Sequence, residues 1–236
     1  SATESSLEAI IGGSLEYGYP AVGMVWLDGG LCTGTLITPR IVLTAGHCVE
    51  PGSPPSAFLT GTSLDDPDKS YTVTKAFRHP DYSESWNGTM NHDIAVLVLA
   101  SDVPVTPMAY RTASIDSFKG KQVTFVGFGM SEVNNSYSSG TKMKLTVQIG
   151  DVSAQGFWNY TNPSNPKNTC QGDSGGPGFV TTDGVQEVVG VVSSGDQYCT
   201  QTGFNTRVDI HAGWIKEIID QYDPGAVVGT CGNGTC

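Results

Sequence analysis

Short apolar runs, each closed by a cluster of turn residues, constrain this chain more than anything else in it. One set occupies 21–27, 34–43, 71–77 and 94–99. Between these runs stand Asp28-Gly29-Gly30, Glu50-Pro51-Gly52-Ser53-Pro54-Pro55 and Asp65-Asp66-Pro67-Asp68. A second set follows at 122–127, 142–149, 178–181, 185–193 and 203–208. Strands of this length and spacing predict an all-β barrel or sandwich. The 30 glycines and 13 prolines in 236 residues supply the turns. Residues 109–118 read as a linker between the two sets. One stretch breaks the pattern: in 211–222, Trp214, Ile215, Ile218 and Ile219 fall at helical spacing.

Composition excludes several classes of function. A formal net charge of −11 argues against a nucleic-acid partner, because phosphate binding wants a basic surface. No apolar run reaches the length of a transmembrane helix. The six cysteines, Cys32, Cys48, Cys170, Cys199, Cys231 and Cys236, include no Cys-x-x-Cys pair and no zinc spacing. Their even number suits disulfides and a secreted protein. Sequence alone leaves all fifteen pairings open. No metal or cofactor is implied; the acidic residues Asp65, Asp66 and Asp68 lack the spacing of a calcium loop.

Three segments carry chemistry. Cys170-Gln171-Gly172-Asp173-Ser174-Gly175-Gly176-Pro177 places a serine in a glycine-rich turn. Such a turn adopts backbone angles that other residues resist, and it can aim successive N–H groups at one oxyanion. Upstream lie Leu43-Thr44-Ala45-Gly46-His47-Cys48 and Asn91-His92-Asp93-Ile94-Ala95-Val96-Leu97. A serine hydroxyl needs a base to become a nucleophile. Histidine titrates in the right range, and a carboxylate holds its tautomer and balances the imidazolium. The order is His47, Asp93, Ser174.

These segments, with Ile10-Ile11-Gly12-Gly13 and Ser193-Ser194-Gly195, make the chain resemble the chymotrypsin/trypsin family of secreted serine endopeptidases. The resemblance runs from Ile10 to about Tyr222. It implies two six-stranded antiparallel β-barrels with the active site between them. It also implies a C-terminal α-helix packed back on the second barrel. Ser174 becomes the nucleophile, His47 the general base and acid, and Asp93 its orienting group. The N–H groups of Gly172 and Ser174 become the oxyanion hole, and Ser193 lies behind Asp93. The family usually has alanine where Gly46 stands. The implied disulfides are Cys32–Cys48 and Cys170–Cys199, leaving Cys231–Cys236 as a terminal loop.

The resemblance also divides the chain. Residues 1–9 become a propeptide and 10–222 the peptidase domain, while 223–236 form a tail similar to the opening of a cysteine-rich repeat. Cleavage after Ala9 would free the Ile10 amine to pair with Asp173 and shape the oxyanion loop. The uncut chain is therefore expected to be a zymogen with an incomplete hole. It would be activated by another protease, or by itself if its pocket takes alanine. Protein or peptide substrates and a monomeric enzyme are implied.

The specificity pocket follows from the same resemblance. Asn168 stands at its floor, Thr169 beside it, and Ser193, Gly195 and Gly203 along its walls. An uncharged floor disfavours Arg and Lys and favours large aromatic or long uncharged residues. Ser194 replaces a common tryptophan and removes an apolar surface. Residues 156–168 lack a bracing disulfide and carry Phe157, Trp158 and Tyr160 instead. His79, His92 and His211 read as structural or solvated, and Asp196 as a solvated turn residue. The rival expectation is a silent or partner-gated binding protein on the same fold.

Overall fold

The turn residues end strands much where their chemistry demands. The computed structural model describes residues 10–226, except 87 and 133. The expected propeptide and the pair Cys231 and Cys236 lie outside the described residues. In chain order the strands are β1 (Ser14–Leu15), β2 (Val22–Leu27), β3 (Gly30–Leu36), β4 (Ile41–Thr44), β5 (Ala57–Thr60), β6 (Lys69–Arg78), β7 (Ser83–Glu84) and β8 (Met90–Asn91). They continue with β9 (Ala95–Leu99), β10 (Ala109–Tyr110), β11 (Gln122–Gly127), β12 (Met143–Gln148), β13 (Gly156–Tyr160), β14 (Pro177–Thr182), β15 (Val185–Gly195) and β16 (Thr202–Arg207). A single α-helix, α1 (Ala212–Tyr222), closes the described chain. It is too short to cross a membrane, and no described helix is long and apolar enough to do so.

Six strands close the first barrel in the order β2-β3-β4-β9-β6-β5. In the second half, six antiparallel strands follow the path β12-β11-β14-β15-β16-β13 and curl around a core of Phe125, Phe157 and Val189. This sheet stays open between β12 and β13 and takes on β1 and β10 as additions. The expected two-barrel, all-β architecture is therefore present, with the second barrel incompletely closed. Residues Ala109 and Tyr110 of the stretch read as a linker pair in parallel with β15.

Three local readings change. The run 34–43 is not one strand but the hairpin β3–β4. Pro39 has no N–H to donate, and the Thr38 hydroxyl accepts from the amides of Arg40 and Ile41 at 3.3 and 3.0 Å, building a turn instead. Residues 156–160, read as part of a loop without a bracing disulfide, form β13 and pair along five residues with β16. Helix α1 packs on the first barrel rather than the second. Ile215, Ile218 and Ile219 join the core that contains Val96 and Leu97, and the Tyr222 ring lies 5.1 Å from that of Phe77 on β6. The apolar spacing defines which face of the helix is buried but not against what.

Phe157 is the anchor of β13. Its ring is fully buried, and it fills the space above Gly178 and Gly190. Truncating it leaves a cavity that a close-packed core cannot collapse into. Phe157→Ala is expected to cost about 3–5 kcal/mol, read as a lower urea midpoint with an unchanged slope.

Candidate active site

The site begins with a carboxylate that has no access to water. Asp93 follows β8 and is fully buried. A buried charge is tolerated only when its lone pairs are satisfied. The His47 amide donates to Asp93 Oδ1 at 2.8 Å, and His47 Nδ1 lies 2.8 Å from Oδ2. The Ser193 hydroxyl donates to Oδ2 at 2.6 Å. His47 comes from the 3-10 turn after β4, in the first barrel, and Ser193 from β15, in the second sheet. The carboxylate thus ties the two halves together at the cleft. Gly46 leaves room here, since a Cβ on it would lie 2.9 Å from the Tyr82 ring.

Burial alone pulls the His47 pKa down. The hydrogen bond and charge of Asp93, with Glu84 and Glu50 farther off, outweigh this and hold it above the ordinary histidine value. His47 and Ser174 both face a cleft of about 280 Å³. Among the described residues no hydrogen bond joins their side chains, so the structure brings the two groups to one cavity without locking them together. Hydrogen bonds at such sites often tighten only when substrate is bound.

The serine turn is held from the first barrel. The Thr33 amide donates to Ser174 O at 2.8 Å, and the Thr33 hydroxyl to Gly172 O at 2.9 Å. Gly172 and Gly175 have φ of 97° and 83°, and a Cβ on Gly175 would run into Thr44 Oγ1. Both glycines are therefore required by the backbone. Among the described residues the amides of Gly172 and Ser174 donate to nothing, which leaves them available to an anion.

Behind this turn, Asp173 is also buried. It accepts from the Gly129 and Cys170 amides, both at 2.8 Å. A Cβ on Gly129 would sit 2.5 Å from the carboxyl carbon, so glycine makes the approach possible. No cation pairs with Asp173 among the described residues, and burial pushes its pKa up to about 7. The Ile10 side chain is fully buried with Met143 and Leu145, and Ile11 O accepts from the Asn168 amide at 3.0 Å. Disulfides Cys32–Cys48 and Cys170–Cys199 are formed as the resemblance implied.

The pocket residues divide. Thr169, Ser193 and Gly195 line the cleft with Ser174, while Asn168 and Gly203 are not among its lining residues. Asn168 belongs to a buried amide ladder: its Oδ1 accepts from Asn159 Nδ2 at 2.9 Å, its Nδ2 donates to Thr202 O at 2.9 Å, and Asn205 Nδ2 donates to Asn159 Oδ1 at 3.0 Å. Gly203 leaves space for this ladder, as its Cβ would lie 2.7 Å from Asn168 Oδ1. Asp196, read as a solvated turn residue, does open the turn closed by the Cys199 amide, but it is half-buried and lines the cleft with Ser174. It accepts from the amides of Thr200, Gln201 and Thr202 at 3.0, 2.8 and 2.8 Å and so shapes the turn at Cys199.

Sequence reading missed Thr33, Gly127 and Gly129, which position the serine turn and Asp173 from afar. It also missed Met90, which lines the cleft. Ser194 opens onto a smaller adjoining pocket where Met90, Trp158 and Phe204 supply apolar surface. The rings of Trp158 and Phe204 lie 4.8 Å apart. The surface lost at Ser194 is thus provided by β13 and β16. Signals for these residues were weak, because each acts across the chain.

Replacing Asp93 tests what holds the imidazole. In Asp93→Asn the strongest raising influence is gone, and burial remains with only Glu84 and Glu50 opposing it. The His47 pKa, followed by NMR titration, is expected to fall below about 6.5; an unchanged value would show that Asp93 does not control it.

Comparison with known proteins gives the same family. The trypsin family profile matches residues 10–215. The serine protease Hayan of Drosophila melanogaster is 30% identical over 223 residues, covering 80% of this chain but only 34% of its own length. The chain therefore spans about a third of that relative. Cathepsin G of Mus musculus is 28% identical over 225 residues, covering 88% of this chain and 83% of its own. A trypsin of Saccharopolyspora erythraea is 28% identical over 221 residues, covering 87% and 93%. With His47 and Ser174 at one cleft and Asp93 bonded behind His47, the silent binding protein is not favoured. The chain belongs to the trypsin family of serine endopeptidases.

Proposed function

We propose that this chain is a secreted serine endopeptidase made as a zymogen, which cleaves proteins after uncharged residues through an acyl-enzyme. The observation that carries the reading is the bonded chain Ser193–Asp93–His47 at the cleft that also holds Ser174. Ser174 Oγ attacks the substrate carbonyl while His47 Nε2 takes its proton. The carbonyl oxygen becomes an oxyanion and is met by the Gly172 and Ser174 amides. His47 then protonates the leaving amine, and water hydrolyses the ester by the same steps. His47 must be neutral to act as base, so kcat/KM rises with pH through its raised pKa. Two disulfides between described cysteines support an oxidising, extracellular setting.

Control by cleavage rests on Asp173. Before the Ala9–Ile10 bond is cut, Ile10 has no ammonium, and the buried carboxylate has only two amides. After the cut, the new ammonium supplies the missing charge and braces the oxyanion loop. Another protease, or the enzyme itself, makes the cut. For the primary pocket, Asn168 behind the wall and Thr169 on it give no anion to hold Arg or Lys, and the Asp196 carboxylate that also lines the cleft is engaged by the Thr200, Gln201 and Thr202 amides. Gly195 leaves room for a large side chain. The apolar pocket at Trp158 and Phe204 suits an apolar residue upstream of the cut bond.

Fluorophosphonate labelling before and after limited proteolysis at Ala9–Ile10 tests the scheme, with the modified peptide identified by mass. Label is expected on Ser174 only after the cut, and the cut enzyme is expected to prefer uncharged substrates. Equal labelling of the uncut chain would remove the zymogen; no labelling after the cut would remove the triad. Fastest cleavage after Arg would remove the specificity.

A thermal comparison tests the ion pair. In the uncut chain the Asp173 pKa is about 7, against about 3.9 when unfolded. The folded form binds the extra proton, so this group's stability contribution is lost as pH rises from about 4 through 7. In the cut chain the ammonium lowers the Asp173 pKa and reverses that loss. The Tm of cut minus uncut protein is expected to be larger at neutral pH than in mild acid. A difference that does not change with pH would rule out the pair.

A further inference from the structure

Three imidazoles from distant parts of the chain meet beside the proposed triad. His79 follows β6, His92 immediately precedes Asp93, and His211 ends the 3-10 turn Asp209–His211 that feeds α1. One ring nitrogen of each lies within 4.8 Å of the other two. His92 Nδ1 and His211 Nε2 are 3.0 Å apart. The His79 ring stacks on that of His92 with centroids 5.0 Å apart and meets His211 edge-on at 4.9 Å.

The surroundings of the cluster prepare it for a cation. His211 Nδ1 lies 2.7 Å from the Arg207 carbonyl oxygen, to which it donates, so its Nε2 presents a lone pair to the other two rings. An outer-shell carbonyl that fixes the tautomer in this way is the usual partner of a metal-bound histidine. That carbonyl is itself well held, because the Arg207 guanidinium is clamped by Asp209 and Asp116. Burial, opposed by the Arg207 carbonyl and aided by the neighbouring imidazoles, keeps His211 neutral, with a pKa lowered to about 4. Two nitrogens bound tetrahedrally at zinc distances stand about 3.3 Å apart, close to the 3.0 Å of the His92–His211 pair. His79 and His92 are only half-buried, so solvent reaches the open side. The Trp214 ring, 4.8 Å from His79, walls another side with apolar surface.

We infer that His79, His92 and His211 form a binding site for one divalent cation of the zinc class, with water as the fourth ligand. Neutral imidazoles suit zinc, copper and nickel. On binding, the proton that His92 Nδ1 donates to His211 Nε2 is exchanged through solvent for one on His92 Nε2, so that His92 binds as a neutral imidazole through Nδ1. Ligation by His79 replaces the long 3.2 Å bond that its Nδ1 accepts from the Asp81 amide. The ion would join the exit of β6, the residue before Asp93 and the entry to α1, and so stabilise the folded chain by binding it preferentially. A second convergence, Cys32, His47 and Cys48, offers no thiolate because its sulfurs form a disulfide.

The test is isothermal titration of the full chain with zinc chloride, with Tm followed in parallel. His92→Asn and His79→Gln are compared with the original chain, and His47→Ala serves as a control for binding at the triad. Asparagine tolerates the left-handed backbone at His92, where φ is 49°. Loss of an outer-shell partner alone costs about 10–100-fold in affinity, so loss of a ligand is expected to cost at least that. One equivalent of zinc should bind and raise Tm, with both effects weakened in the two cluster variants and kept in His47→Ala. No binding by the original chain, undiminished binding in a folded cluster variant, or loss confined to His47→Ala would each overturn the inference. If His92→Asn does not fold, His79→Gln decides.

Discussion

The burial of the Asp93 carboxylate is the constraint from which the rest of the cleft follows. It must be satisfied by donors, and the donors come from both halves of the molecule: the amide and ring of His47 from the first barrel, and the hydroxyl of Ser193 from the second sheet. The two halves cannot slide against each other without stripping a buried charge of its partners, which is strongly unfavourable. The same joint is closed from the other side by Thr33, whose amide and hydroxyl hold the turn that carries Ser174. The cleft is therefore a seam held by polar contacts, with the reactive groups placed along it.

A second buried carboxylate, Asp173, is treated differently. Where Asp93 has three donors, Asp173 has two amides and no cation among the described residues. The glycines at 127 and 129 let it approach the backbone closely but do not neutralise it. Two carboxylates of one site thus have opposite standing: one is fully satisfied, the other retains a need. An unmet need of this kind is what a switch requires, since a single new charge has a large differential effect on it.

Much of this was legible in the sequence because the chemistry requires particular residue types in short stretches. Gly172, Ser174 and Gly175 are written together because one turn needs all three. Strand positions followed from turn residues in the same way, as at β11. What was not legible depends on the partner across space. Thr38 breaks a run that looked continuous, through hydrogen bonds only a folded turn displays. Residues 156–160 mix Phe157 with Asn159, and nothing local reveals that Asn159 is satisfied by Asn168 and Asn205. The docking of α1 on the first barrel and the meeting of His79, His92 and His211 are both long-range facts. Asn168, expected at the pocket floor, has its amide spent on the ladder rather than offered to the cleft.

The aromatic wall at Trp158 and Phe204 has its own implication. It stands on paired framework strands, not on the strand that carries Ser193, Ser194 and Gly195. Phe157, the neighbour of Trp158 on β13, is a core residue facing the other way. Any remodelling of this wall therefore acts on a strand that also holds the second core together. In a lineage descending from such a protein, changes to this wall would come bundled with losses of robustness, and compensating repairs in the core would have to accompany them.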